Sequence, residues 1–151
     1  MSHDARMKKD GGSMRHALLY TLAFILPAAA ALVSYAVKGI APFGDAFVTG
    51  WDCYTQYVDY FDWFRQVLAG DGNLLYSFGK SMGGNTIGLF AYYLASPLNL
   101  LIVFFPEGTT LSFMTILVVI KVGLCGLTAS IFLSKRFNLN PAIVLTLACG
   151  Y

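Results

Sequence analysis

The sequence predicts an all-α polytopic membrane fold, and three observations carry that prediction. Of 151 residues, 57% are hydrophobic and only 12% are charged, a balance too apolar for a water-soluble domain of this length. The charges are also unevenly spread: residues 17–37 contain none, and residues 111–134 contain only Lys121. A bilayer core of ~30 Å takes about 20 apolar residues as a helix, and both stretches supply that length.

Taken in order, residues 1–16 read as a polar tail holding Arg6, Lys8, Lys9 and Arg15 around a flexible Gly11-Gly12-Ser13. Basic residues beside a first span stay cytoplasmic, so the N-terminus is expected inside and residues 17–37 cross outward as the first transmembrane helix. A cleaved secretory signal is the competing reading, with Ala28 to Ala31 as its small residues. The apolar stretch is longer than a signal core and runs on past those alanines, and further spans follow.

Residues 38–110 read as an extracytoplasmic loop. It opens on a linker punctuated by Gly39, Pro42, Gly44 and Gly50. A helix is expected over residues 52–69, closed by Gly70-Asp71-Gly72. At 3.6 residues per turn, Asp52, Gln56, Asp59, Trp63 and Gln66 share one face, and Tyr54, Tyr57, Val58, Phe61, Phe64 and Leu68 cover the other. That pattern suits an amphipathic helix lying in the membrane interface, and equally an aromatic-rich surface helix packed on the rest of the protein. Residues 74–88 read as irregular structure rich in glycine. Gly79-Lys80-Ser81 is not a phosphate loop, because the position five residues before Gly79 is Leu74 rather than glycine.

Residues 89–105 are apolar but broken by Pro97 and ended by Pro106-Glu107-Gly108. Lys135 and Arg136 follow the second transmembrane helix, residues 111–134, and belong inside. With the first span leading outward and the second returning, residues 89–105 do not cross; they form one or two juxtamembrane helices at the outer face. A cytoplasmic turn, residues 135–140, leads to an apolar run over 141–151. As a helix that run is only about 16 Å long. It is therefore expected to begin a third span, and the chain to be the N-terminal part of a larger protein whose remaining spans complete it.

The same residues exclude several functions. A net charge of +2 without a basic stripe gives no nucleic-acid surface. Cys53, Cys125 and Cys149 form no disulfide framework. His3 and His16 lie in the tail without a ligand cluster, so no metal site is indicated and no cofactor is expected.

One set of motifs carries a family likeness. Gly50-Trp51-Asp52 with Gln56-Tyr57, then Tyr76-Ser77-Phe78, Met82-Gly83-Gly84-Asn85, the run Tyr92-Tyr93-Leu94-Ala95-Ser96-Pro97-Leu98-Asn99-Leu100-Leu101, and Lys121-Val122-Gly123-Leu124 resemble bacterial membrane proteins of the YfhO type. Those proteins look like members of the GT-C superfamily of integral membrane glycosyltransferases. The resemblance covers residues 38–136, and the tyrosine-to-leucine run after the Gly-Gly-Asn turn is its most specific part. It implies a first outer loop with juxtamembrane helices and an essential acidic residue near its start. It also implies transfer of a sugar from a polyprenyl-phosphate carrier to a cell-wall polymer such as lipoteichoic acid.

That chemistry needs a base for the acceptor hydroxyl, charge stabilisation for the leaving phosphate and a groove for the lipid tail. Asp52 is the candidate base, and it also fits as the N-cap of its helix. Gln56, Tyr57, Asp59, Asn85 and Tyr92 are the candidate substrate-binding residues of the loop; Gln56, Tyr57 and Asp59 read equally as ordinary interfacial or solvated residues. Lys121 stands mid-span, where a cation costs at least ~2.5–3.5 kcal/mol and is expected to face a polar interior. It is the candidate partner of the carrier phosphate or of a carboxylate. The alternative function is a transporter or flippase-like protein in which residues 89–105 form a re-entrant, substrate-lining element; no internal repeat supports it.

Overall fold

The computed structural model describes residues 3–48, 50, 56–79, 83–137 and 139–150, with side chains from Met14 onward. Backbone contacts divide the chain into two compact units: Met1–Lys38 with Val118–Tyr151, and Gly39–Leu117.

The first unit is made of apolar helices. Helix α1 (His3–Lys38) and helix α4 (Thr110–Arg136), which enters this unit at Val118, contain segments that, among the described residues, are long and apolar enough to cross a bilayer, Met14–Lys38 and Thr110–Arg136. Helix is the form such segments take because every backbone N–H and C=O must be satisfied within the segment. α1 starts well before its apolar part and runs through Gly11, Gly12 and Ser13, where the sequence suggests a flexible tail. Extending an existing helix adds a bond per residue and avoids the nucleation cost, which offsets the roughly 1 kcal/mol penalty of each glycine. Helix α5 (Pro141–Gly150) is short, with 10 residues. Asn140 caps it, its Oδ1 accepting the Ala142 N–H at 3.0 Å, and Pro141 occupies the first turn.

Small residues let these helices approach. Ala23, Ala28, Ser130 and Ala148 are buried, the pattern expected where lipid supplies no hydrophobic drive and close packing must do so. One close approach has a local cause. Pro27 lies inside α1 and has no N–H to offer the Ala23 carbonyl one turn earlier. Gly126 of α4 sits against that carbonyl and the Pro27 ring, and a Cβ there would collide with both. Gly123 rests likewise on the Phe24 ring, 2.8 Å from where its Cβ would be. We expect Gly126→Leu to destabilise the helix unit by about 1–3 kcal/mol, read as a lower thermal midpoint in detergent. Gly150→Leu, at a position with nothing within 4 Å, should leave the midpoint unchanged.

The second unit is built around one apolar cluster: Phe61, Phe64, Leu94, Ile102, Phe113 and Leu117. Helix α2 (Val58–Ala69) contributes Phe61 and Phe64. It closes at Gly70, whose φ of 93° only glycine adopts freely, with Gly70 N–H to Val67 O at 3.2 Å and Asp71 N–H to Gln66 O at 3.0 Å. Gln56, Asp59 and Gln66 are exposed as the periodicity predicts, but two neighbours differ. Trp63 packs against the cluster from the polar side, because a side chain of that size reaches round the helix. Leu68, in the last turn beyond Phe64, is 39% exposed.

Residues 74–88 are more ordered than their glycines suggest. Strand β1 (Tyr76–Ser77) pairs antiparallel with β2 (Gly84–Asn85), Tyr76 opposite Asn85. Thr86, 2% exposed, locks the base of this ribbon: its N–H donates to Leu75 O at 3.1 Å and its hydroxyl to Leu74 O at 2.6 Å.

The apolar stretch before α4 is two short helices bent by 91°. α3 (Ile87–Leu89) runs into a π-type turn, Phe90–Leu94, and after Ser96 a 3-10 helix follows, Pro97–Phe104. Pro97 causes the break, since it disfavours helical geometry in Ser96, which is extended at ψ 129°. At three residues per turn, every third side chain shares a face. Asn99 and Ile102 are accordingly buried, while Pro97, Leu100 and Val103 are exposed. Asn99 secures the bend, its Nδ2 donating to the Tyr93 carbonyl at 3.1 Å.

Candidate functional site

Two π-type turns bring the polar aromatics of the loop unit together. One precedes α2 at Gln56 and Tyr57, and the other is Phe90–Leu94. Each turn inserts a residue into the helical repeat, which re-aims side chains and recurs at functional sites. The result is a cluster centred on Tyr93. Its hydroxyl donates to Gln56 Oε1 at 3.3 Å, across 37 residues of sequence. Tyr57 meets the Tyr93 ring edge-on, with centroids 4.7 Å apart, and Tyr92 does so at 4.5 Å. Tyr60 leans on it at 5.3 Å. Such edge-to-face pairs add about 0.5–1.5 kcal/mol each beyond area burial.

This arrangement unites three of the sequence-predicted residues, Gln56, Tyr57 and Tyr92. Tyr92 is 79% exposed, so the cluster shows solvent an aromatic surface with phenol and amide groups at its edge. Asp59 on α2 is exposed, as is Gln56 in the turn before it. Asn85 lies on β2, where its Oδ1 accepts the Ile87 N–H at 2.8 Å and so starts α3. Asp52, the candidate base, lies outside the described residues, as do Trp51 and Met82 of the family motifs. Lys121 belongs to the other unit. It is exposed on α4, on a stripe with Val118, Cys125 and Thr128, rather than turned into the packed face that Gly123 and Gly126 occupy.

Sequence reasoning missed Tyr93 as the hub, although the Tyr92-Tyr93 pair stood in the motif; periodicity gave no reason to choose between neighbours. It also missed a second polar group. The Thr110 hydroxyl donates to Asp62 Oδ1, and Arg65 Nη2 donates to Thr110 Oγ1 at 3.0 Å. Arg65 also lies 3.5 Å from Asp62, with its own side chain only 12% exposed. This triad ties α2 to the first residue of α4. Asp62, Arg65, Gln66, Glu107 and Gly108 line a polar recess of about 240 Å³ beside it. Among the described residues no group of three or more His, Cys, Asp or Glu side chains could hold a metal ion.

Apolar helices of membrane-spanning length, with a folded loop unit between them in sequence, define an all-α polytopic membrane protein. The sequence matches the family described as "Bacterial membrane protein YfhO" over residues 23–151, and the chain belongs to that family. None of the curated proteins and none of the solved structures matches it.

Removing the Asp62 carboxylate leaves a largely buried guanidinium with Thr110 as its partner. We expect Asp62→Ala to destabilise the loop unit by about 1–2 kcal/mol, below the value for a fully buried pair because Asp62 is partly solvated. Asp59→Ala, on the exposed face, should stay within about 0.5 kcal/mol. Hydrogen-exchange protection of α2 distinguishes the two.

Proposed function

We infer that this chain supplies the donor and acceptor region of a GT-C-type membrane glycosyltransferase. The enzyme moves a sugar from a polyprenyl-phosphate carrier to a cell-wall polymer such as lipoteichoic acid, on the outer face of the cell membrane. The observation that carries the reading is the convergence of Gln56, Tyr57 and Tyr92 on Tyr93 in the unit that lies between the two apolar spans in sequence. A sugar offers hydroxyls and apolar C–H faces together, and a tyrosine surface edged by an amide complements both. The resemblance carried by Gly50-Trp51-Asp52 adds Asp52 at the start of the same segment.

In this reading Asp52 takes the acceptor hydroxyl's proton as the bond to the sugar forms. Gln56, Tyr57, Tyr92, Asp59 and Asn85 hold sugar or acceptor hydroxyls, and Lys121 meets a phosphate or carboxylate. The N-terminus and the Lys135-Arg136 pair are cytoplasmic, and the loop unit is external. The exposed face of the 3-10 helix supports a juxtamembrane position: Leu100, Val103 and Phe104 are 50%, 58% and 81% exposed directly before a span, as suits the bilayer interface. The 91° bend between Ile87–Leu94 and Pro97–Phe104 favours a second reading, a re-entrant element of a transporter.

Asp52→Asn in the intact protein should lower sugar transfer by at least about 100-fold in membranes supplied with polyprenyl-phosphate sugar and acceptor polymer. Tyr92→Ala should lower it roughly tenfold with the protein's abundance unchanged, because its side chain is mostly in solvent. Normal transfer in Asp52→Asn removes the enzymatic reading. Impermeant labelling of introduced thiols in whole cells tests the layout: position 71 should react and position 135 should not.

A further inference from the structure

A groove beside α4 carries a second inference, independent of sugar transfer. Two recesses adjoin there. One, of about 560 Å³, is lined by Cys125, Ala129, Leu133 and Leu147 of α5, and the other, of about 430 Å³, ends at Lys135 and Arg136. Thr128 and Phe132 border both, so the two recesses share a rim. Positions 125, 128, 129, 132, 135 and 136 fall at intervals of three and four, which makes them one stripe along the helix. From Cys125 to Arg136 the rise is about 16 Å, close to the depth of one bilayer leaflet.

Charge identifies the occupant. The groove is apolar along its length and cationic at one end only. α4 and α5 contain no Asp or Glu, so the two helices that line the groove offer the Lys135-Arg136 pair no carboxylate. The α4 C-terminal carbonyls favour cations nearby, yet they are dipoles and leave the net charge in place. An acyl chain with a phosphate at its head matches this sequence of surfaces, and basic pockets between membrane helices recognise such head groups. We propose that the groove along α4, with Leu147 of α5 on the rim of its apolar part, is a binding site for an anionic glycerophospholipid, its phosphate at Lys135 and Arg136 and an acyl chain along Phe132, Ala129 and Cys125.

The test uses the full chain in detergent with equimolar phosphatidylglycerol and phosphatidylcholine of identical acyl chains, read by native mass spectrometry. The chain should retain phosphatidylglycerol about tenfold over phosphatidylcholine, and the preference should shrink as salt is raised. Lys135→Gln with Arg136→Gln should abolish the preference, and Ala129→Trp, which fills the apolar part, should lower retention of both lipids. Equal retention of the two lipids by the unmodified chain overturns the proposal. So does a preference indifferent to salt, which needs no variant to fold. A preference that survives in the double glutamine variant places the anion site at another basic cluster, and unaltered retention in Ala129→Trp means that another occupant, such as a membrane helix, fills the groove.

Discussion

The edge-on contacts of Phe113 hold the loop unit together. Its ring is 1% exposed and meets Phe61 of α2 at 5.4 Å and Phe105, just past the 3-10 helix, at 5.2 Å. Burying Phe61 and Phe113 against each other, with Phe105 partly buried beside them, removes apolar area from water at about 25 cal/mol per Å². It also fixes geometry, since one residue of α4 sets the places of two elements that precede it. Everything polar in the unit depends on that frame. The Asp62–Arg65–Thr110 triad lies one turn from the Phe61–Phe113 contact on both helices, and Asn99 can reach the Tyr93 carbonyl because Ile102, on the same face, is buried in the cluster.

The helix unit follows a different rule. Alanine, glycine and serine recur in its interfaces, and Gly126 lies directly against Ala23 and Pro27. A proline inside a helix leaves a carbonyl unsatisfied, which in hydrocarbon is costly. A glycine opposite lets a second backbone approach that carbonyl, where Cα–H contacts offer partial compensation. The same chain thus solves two packing problems: aromatic burial where water competes, and close backbone approach where lipid does.

Legibility in the sequence followed the strength of the local signal. Two segments of bilayer length stand out from hydropathy alone, and the polar face at Gln56, just before α2, and at Asp59 and Gln66 within it stands out from its period. Pro97 announces a break, but not its 91° angle, which depends on Asn99 and on how Ile102 is buried. Trp63 and Leu68 depart from the helical wheel because a wheel knows neither the reach of an indole nor where the partner surface stops. The β1–β2 ribbon was hidden among glycines, since its order comes from Thr86 bonding to Leu74 and Leu75 rather than from strand-forming residues.

The candidate site divides along the same line. Composition and motif sufficed for the membrane class, the YfhO family and a loop rich in tyrosine and aspartate, because each is a property of residues taken singly or in short runs. Which residues meet was decided by the fold. Tyr93 joins Gln56 across 37 positions, and Thr110 joins Arg65 and Asp62 across 45 and 48. Contacts at such separations depend on how the chain closes its loops and packs its aromatics, and no local period records them.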